Sequence, residues 1–334
     1  MTHNIIATMD LKKIYEKSLA EEFFSREECL GILNFPNENL SELLNITLKI
    51  RELHKGRKVS VHVLTNAKSG NCGEDCKYCA QSCASNTNIE RYSFLEYEKI
   101  LNNGKMCREK GVERHCLGLS GISFADEQID KLCEYVKRLN EEAPTKICCS
   151  IGFLTKKQAK KLKEAGVTRI NHNLNTGKNF YKNICSTHTY EQRIANINML
   201  KETGFEMCCG GIVGLGESNE DLIDMFFDIK RIKPESIPIN FLIPIKGVPL
   251  EKNNNVSKLT PEYCLKTLSL GRLLNPKADL RCAAGREIYL KDKQNLMFCA
   301  VNSIFASGYL TAPGQGIDET IKMIREAGFE YAKE

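Results

Sequence analysis

The chain has 334 residues, of which 42% are hydrophobic and 27% are charged, as in a water-soluble globular protein. Its 47 basic and 42 acidic residues leave a net charge of +5. The basic residues are interleaved with acidic ones, so no nucleic-acid partner is expected. No apolar run is long enough to cross a bilayer and no secretory signal opens the chain, so we expect a cytoplasmic protein without a membrane partner.

Residues 1–57 are predicted to form an N-terminal helical extension, because apolar residues recur at helical spacing and a glycine follows them. From residue 58 to 334, short apolar runs alternate with longer, charged, helix-periodic stretches. The runs lie at 59–65, 115–120, 147–152, 168–174, 207–214, 236–242, 279–284 and 302–307. Eight such units predict an α/β fold, a (β/α)8 TIM-type barrel, with a doubly wound sheet as the alternative. A polar loop is expected at 251–258.

Sixteen cysteines are unusual for a chain of this length. A reducing cytoplasm disfavours disulfides and favours metal ligation or catalysis. Adjacent pairs such as Cys148–Cys149 and Cys208–Cys209 also suit disulfide geometry poorly. We therefore look for metal sites among these thiols.

Three of the cysteines, Cys72, Cys76 and Cys79, follow a C-x3-C-x2-C spacing in a polar stretch. Structural zinc commonly takes four ligands in two well-separated pairs. Three neighbouring thiolates instead suit an iron-sulfur cluster in which one iron has no protein ligand and can bind a small molecule. Zinc binding and plain core packing are the weaker alternatives, and Cys83, four residues farther on, has no assigned role.

The C-x3-C-x2-C motif, with Tyr78 before its last cysteine, resembles the radical S-adenosylmethionine superfamily. The longer string GEDCKYCAQS resembles the biotin synthase family within it, as do INHNLNT, CGGIVGLGE, IPINFLIPIKGVPL, RCAAGRE and NSIF. The resemblance spans about residues 58–313. It implies a sulfurtransferase that uses a [4Fe-4S] cluster and S-adenosylmethionine to insert sulfur into dethiobiotin, forming biotin. It also implies an external one-electron donor, service by iron-sulfur assembly machinery and a homodimer.

The same resemblance implies a second, auxiliary cluster, [2Fe-2S] or larger, that supplies the sulfur. Its implied ligands are three strand cysteines and one arginine: Cys116, Cys148, Cys208 and Arg281. Inward-facing residues of several barrel strands converge, so such dispersed cysteines can meet. Strand alternation places Cys149, Cys209 and Cys282 on the opposite, helix-facing side. The alternative is that bulged strands turn them inward to hold a larger cluster.

Further residues are matched to the nucleotide and the substrate by the resemblance. Those expected to hold S-adenosylmethionine are Tyr78, Gly210, Ile212, Gly214, Glu217, Asn173, Asn175 and Arg193. Those expected to meet dethiobiotin are Asn171, Asn173, Asn240 and Thr311. Two positions depart from the family pattern: Asn175 replaces a common aspartate, and Ala312 replaces a hydroxyl residue.

Three other functions share the first motif. Hydrogenase-cofactor maturases and methylornithine synthases use the same radical chemistry but do not need Arg281 with the three strand cysteines. A non-catalytic metal-binding sensor would bind a cluster without cleaving S-adenosylmethionine.

Overall fold

The computed structural model describes residues 9–252 and 259–333. Its ten strands are β1 Lys58–Lys68, β2 Arg114–Leu119, β3 Lys146–Ser150, β4 Val167–Asn171, β5 Glu206–Cys208, β6 Gly211–Val213, β7 Ser236–Phe241, β8 Asp279–Cys282, β9 Ser303–Ala306 and β10 Glu330–Tyr331. Every strand pair is parallel. Most of the predicted polar loop at 251–258 lies outside the described residues.

The sheet closes on itself, because β1 pairs with β2 on one side and with β9 on the other. The segments β5 and β6 act as two halves of one barrel strand, and both pair with β7. The eight-stranded (β/α)8 barrel is therefore confirmed. The doubly wound alternative is wrong, since that sheet would keep two open edges. The short β10 only extends the sheet at the start of β1.

Twelve helices are present in the described part of the chain. They are α1 Leu11–Leu19, α2 Arg26–Leu33, α3 Leu40–Lys55, α4 Tyr97–Lys110, α5 Asp126–Glu142, α6 Lys156–Glu164, α7 Lys178–Tyr181, α8 Tyr190–Glu202, α9 Asn219–Ile232, α10 Pro261–Leu274, α11 Arg286–Tyr289 and α12 Ile317–Glu326, with 3-10 turns at Asn37–Asn39, Pro249–Lys252 and Lys291–Cys299. Side-chain caps fix several starts; Thr189, for example, accepts from the amide of Gln192 at the start of α8.

The helices α1 to α3 precede the barrel and pack on its outer layer, where α3 contacts α10 and α2 contacts α9. Their inward side chains Ile14, Ile32, Leu43 and Ile50 are fully buried. The buried Arg51 donates to the carbonyls of Gly56 and Lys58, which ties α3 to the start of β1. Residues 1–8 of the predicted extension lie outside the described residues. Within the described ranges, no helix is long and apolar enough to span a membrane.

Candidate active site

A cavity of about 290 Å³ opens where the barrel strands end. Its wall includes residues that directly follow β2, β3 and β4, the edge where parallel barrels place their sites. The predicted residues that line it are Cys72, Cys76, Tyr78, Cys79, Asn171, Asn173, Asn175, Arg193, Ile212 and Asn240. The fold thus brings together residues that are spread over almost 170 positions of the chain.

The loop after β1 carries the first three thiols. Cys72 and Cys76 are buried and Cys79 is partly buried, and the loop is fixed by backbone bonds such as Cys72 N to Gln81 O at 3.2 Å. Burial raises the pKa of Cys72 and raises that of Cys79 to about 11. Without a metal these groups are therefore neutral thiols, and metal binding must displace their protons. Three soft donors on one cavity wall fit a [4Fe-4S] cluster.

Sequence reasoning missed a group of polar residues that borders this loop. Glu74, Cys185 and His188 are buried, and their ligand atoms lie within 4.8 Å of one another. The thiol of Cys185 is 3.8 Å from that of Cys76. This hydrogen bond lowers the pKa of Cys185 to about 5 and raises that of Cys76, because the proton stays on Cys76. Cys185 and His188 are three positions apart in the sequence, but nothing there indicates that they reach Glu74.

Hydrogen bonds, most of them to the backbone, hold three residues that are predicted to bind the nucleotide or the substrate. The amide of Gly210 donates to Asn173 Oδ1 at 3.0 Å, and Arg193 Nη1 donates to the Asn173 carbonyl at 3.1 Å. Arg193 Nε also lies 2.9 Å from His188 Nε2. The Asn240 amide donates to the Gly211 carbonyl at 3.1 Å. These contacts leave only part of each side chain's hydrogen-bonding capacity for a ligand.

Four of the residues predicted to bind the nucleotide or the substrate do not line the main cavity. Gly210, Gly214 and Glu217 lie behind its wall, where the Gly214 amide donates to Glu217 Oε1 at 2.8 Å. Burial raises the pKa of Glu217 to about 7. Thr311 lines an adjoining cavity of about 200 Å³ that shares Tyr78, Cys79, Ile212 and Asn240 with the first.

The second set of thiols lies inside the barrel. Cys116 and Cys148 are register partners on β2 and β3, and both are buried in a cluster separate from the main core. Cys208 is fully buried, with Arg281 Nη1 at 3.5 Å and the Asn171 amide at 3.4 Å from its sulfur. The amide of Asn171 thus faces this thiol group. Three thiols and a guanidinium inside the barrel fit an enclosed iron-sulfur site.

Arg281 is held by residues that sequence reasoning did not assign. Its Nε donates to Ser303 Oγ at 2.9 Å, and its Nη2 lies 3.1 Å from Ser236 Oγ and 3.3 Å from His62 Nε2. Burial lowers the pKa of His62 to about 3, so this imidazole is neutral. These residues stand on strands β1, β7 and β9, and only the tertiary structure shows that they share a partner.

The neighbouring thiols Cys149, Cys209 and Cys282 belong to the main core between the barrel and its helices. Cys149 interacts with Cys133 of α5, and Cys282 with Cys264 of α10. They therefore face away from Cys116 and Cys148, as strand alternation predicts. The pairing of β3 with β4 is irregular between Ile147 and Cys148, but Cys149 stays in the outer core with Cys209 and Cys282.

Comparisons with known proteins agree with this geometry. Residues 66–229 match the family described as "Radical SAM superfamily", and residues 238–330 match "Biotin and Thiamin Synthesis associated domain". Biotin synthase from Bacillus cytotoxicus is 39% identical over 96% of both chains. Biotin synthase from Salinibacter ruber is 40% identical over 92% of this chain and 84% of that protein.

Two solved structures share the fold. The match to methylornithine synthase has a TM-score of 0.83 at 19% identity and covers 96% of this chain and 97% of that one. The hydrogenase maturase HydG from Carboxydothermus hydrogenoformans has a TM-score of 0.80 at 19% identity, covering 96% of this chain and 78% of that one. At these identities the likeness concerns the barrel and not the reaction.

Proposed function

The chain belongs to the biotin synthase family of radical S-adenosylmethionine enzymes, and from this premise we propose that it converts dethiobiotin to biotin by radical sulfur insertion. The observation that supports sulfur insertion most directly is the enclosed group of Cys116, Cys148, Cys208 and Arg281. Cys116 and Cys148 are register partners on β2 and β3. Arg281 and Asn171 both contact Cys208, and Asn171 lines the cavity of the first three cysteines. Radical chemistry that lacks a sulfur step has no need of this second group.

Cys72, Cys76 and Cys79 would hold the [4Fe-4S] cluster at the cavity wall. When bound, this cluster supplies the electron that cleaves S-adenosylmethionine to methionine and a radical able to take hydrogen from an unactivated carbon. The chain's own task is to orient and shield the reactants. The cavity is walled by residues of the strand ends, and the apolar side chains of Phe153 and Leu310 lie on that wall, where they would limit the access of water to a reactive species.

The amides and Arg193 would orient S-adenosylmethionine and the substrate. Arg193 is fixed by Asn173 and His188, so its cationic face is ordered before a carboxylate arrives. The remaining hydrogen-bonding capacity of Asn173, Asn175 and Asn240 suits ribose hydroxyls and a cyclic urea. Thr311 would meet the substrate carboxylate in the adjoining cavity.

Cys116, Cys148, Cys208 and Arg281 would hold the auxiliary cluster. We favour a [2Fe-2S] cluster over a larger one, since Cys149, Cys209 and Cys282 pack in the outer core. Ser303, Ser236 and His62 keep the Arg281 guanidinium directed at the site. We further propose a homodimer in the cytoplasm that receives electrons from an external one-electron donor and clusters from iron-sulfur assembly machinery.

The test is anaerobic incubation of the reduced, reconstituted protein with S-adenosylmethionine and dethiobiotin. We expect 5'-deoxyadenosine and biotin as products. If deoxyadenosine forms without biotin, the substrate assignment is wrong. If no deoxyadenosine forms, the radical function itself is wrong.

A matched variant separates the two clusters. Cys116→Ala should retain about four irons per chain, instead of the six expected for one cluster of each kind. It should still cleave S-adenosylmethionine but form no biotin. Biotin formation by this variant would contradict the auxiliary role of Cys116.

A further inference from the structure

Glu74, Cys185 and His188 form a compact buried group, to which the proposed reaction assigns no role beyond the contact of His188 with Arg193. Their relative exposures are low, and the three come from two separate loops, one after β1 and one between α7 and α8. Cys185 Sγ lies 3.4 Å from His188 Nδ1 and 3.9 Å from Glu74 Oε2. One sulfur, one nitrogen and one oxygen donor thus face a common point.

These separations are close to those of a tetrahedral metal site. Metal bonds of about 2.3 Å to sulfur and about 2.0 Å to nitrogen or oxygen hold a sulfur about 3.5 Å from either of the other donors. Cys185 Sγ lies 3.4 Å from His188 Nδ1 and 3.9 Å from Glu74 Oε2. Only His188 Nδ1 and Glu74 Oε2 are closer, at 2.6 Å, the separation of a hydrogen bond. They would need to part by roughly 0.7 Å when an ion replaces the proton.

The surroundings orient the imidazole as they do in known metal sites. A metal-binding histidine usually has its other ring nitrogen hydrogen-bonded, which fixes the ring. Here His188 Nε2 lies 2.6 Å from the Tyr181 hydroxyl and 2.9 Å from Arg193 Nε, so the ring is held and Nδ1 faces Glu74 and Cys185. The hydroxyl of Thr187 bonds to the same carboxylate and holds it in place.

We propose that Glu74, Cys185 and His188 bind one divalent metal ion of the borderline class, Fe²⁺ or Zn²⁺, with water as the fourth ligand. The mixed sulfur, nitrogen and oxygen donors suit these ions better than Mg²⁺ or Ca²⁺. Binding displaces the Nδ1 proton of His188, whereas Cys185 binds as the thiolate that already accepts the hydrogen bond of Cys76; no oxidation state changes. Cys76 stays outside this site, because it would belong to the [4Fe-4S] cluster in the loaded enzyme.

The test uses Co²⁺ as the probe and the full-length chain carrying Cys72→Ser and Cys79→Ser, which cannot hold the first cluster. This background is compared with the same chain carrying Cys185→Ser as well. We expect the background to bind one more Co²⁺ per chain, with a sulfur-to-cobalt charge-transfer band that the added change removes. Other cysteines that bind Co²⁺ contribute equally to both proteins and cancel in the comparison.

Three further variants make the result specific. Cys83→Ser removes an exposed thiol from the same loop and should leave Co²⁺ binding unchanged. His188→Gln should abolish the additional site, while Tyr181→Phe should weaken it by about 10- to 100-fold. The proposal is overturned if Co²⁺ binding is the same with and without Cys185→Ser. It is also overturned if Cys83→Ser reduces Co²⁺ binding as much as Cys185→Ser does. Because no substrate is present, the outcome is independent of the proposed reaction.

Discussion

Asn175 illustrates how much one residue is constrained by the backbone. Its φ is +71°, in the left-handed region that Asn and Asp adopt more readily than other non-glycine residues. The backbone amide of Asn175 donates to the Gly210 carbonyl at 3.1 Å, and its backbone carbonyl accepts from the amide of Ile212. Asparagine and aspartate can both adopt this backbone conformation and make these backbone hydrogen bonds. An asparagine in place of the aspartate expected from the family resemblance therefore changes the charge of the cavity wall but not its backbone conformation.

We therefore predict that Asn175→Asp tightens the binding of S-adenosylmethionine about fivefold. A charged acceptor adds about 1 kcal/mol to a hydrogen bond with a ribose hydroxyl. Equilibrium binding measurements check this, with Asn171→Asp as the control, because the Asn171 amide faces Cys208 instead. Weaker binding by Asn175→Asp would contradict the assignment of this residue to the ribose.

Glu217 predicts a pH dependence of stability. Its pKa in the folded chain is raised by burial from 4.5 to about 7, so the unfolded chain releases this proton at lower pH. Below pH 4.5 the carboxyl is protonated in both states and does not affect the free energy of unfolding. Between pH 4.5 and 7 it ionises more readily in the unfolded chain, which lowers the free energy of unfolding by about 3 kcal/mol in all.

Glu217→Gln should remove this cost and retain the bond from Gly214. We expect the variant to unfold at higher denaturant concentration than the unsubstituted chain at pH 8 and at the same concentration near pH 4. Circular dichroism is the suitable probe, since the chain has no tryptophan. An unchanged difference at the two pH values would show that folding does not raise the pKa of Glu217.

At the scale of elements, the break between β5 and β6 positions the nucleotide wall. A Cβ on Gly210 would lie 1.9 Å from the carbonyl oxygen of Pro238 on β7, so only glycine permits this approach. The freed Gly210 amide then bonds to Asn173. The break between β5 and β6 thus leaves the Gly210 amide free to position Asn173, a residue predicted to bind S-adenosylmethionine.

Gly210→Ala should therefore destabilise the fold by about 1–3 kcal/mol, the usual cost of overpacking, and weaken S-adenosylmethionine binding. Gly316→Ala is the control, because a Cβ there meets no atom within 4 Å and its φ is −61°. Thermal unfolding and equilibrium binding measure both effects. Equal behaviour of the two variants would mean that β7 moves aside without cost.

At the scale of the whole molecule, the N-terminal helices share one core with the barrel. Leu43 of α3 is fully buried, whereas Leu53 of the same helix is 62% exposed. Leu43→Ala should cost about 2–5 kcal/mol of unfolding free energy, and Leu53→Ala within about 0.5 kcal/mol. Denaturant unfolding measures the difference. If Leu43→Ala unfolds only a helical part of the chain and leaves the barrel intact, residues 1–57 form a separate folding unit.

The sequence by itself determined the eight alternating units, the barrel class and the first cysteine motif, because these depend on local periodicity and spacing. Strand alternation also correctly placed Cys149, Cys209 and Cys282 on the outer side. Only the tertiary structure decided that Arg281 forms hydrogen bonds with Ser303, Ser236 and His62. It alone also decided that Cys185 and His188 lie beside Glu74. These groups are joined only when the sheet closes and two loops meet, and contacts between residues so far apart in sequence leave no periodic signal in the chain.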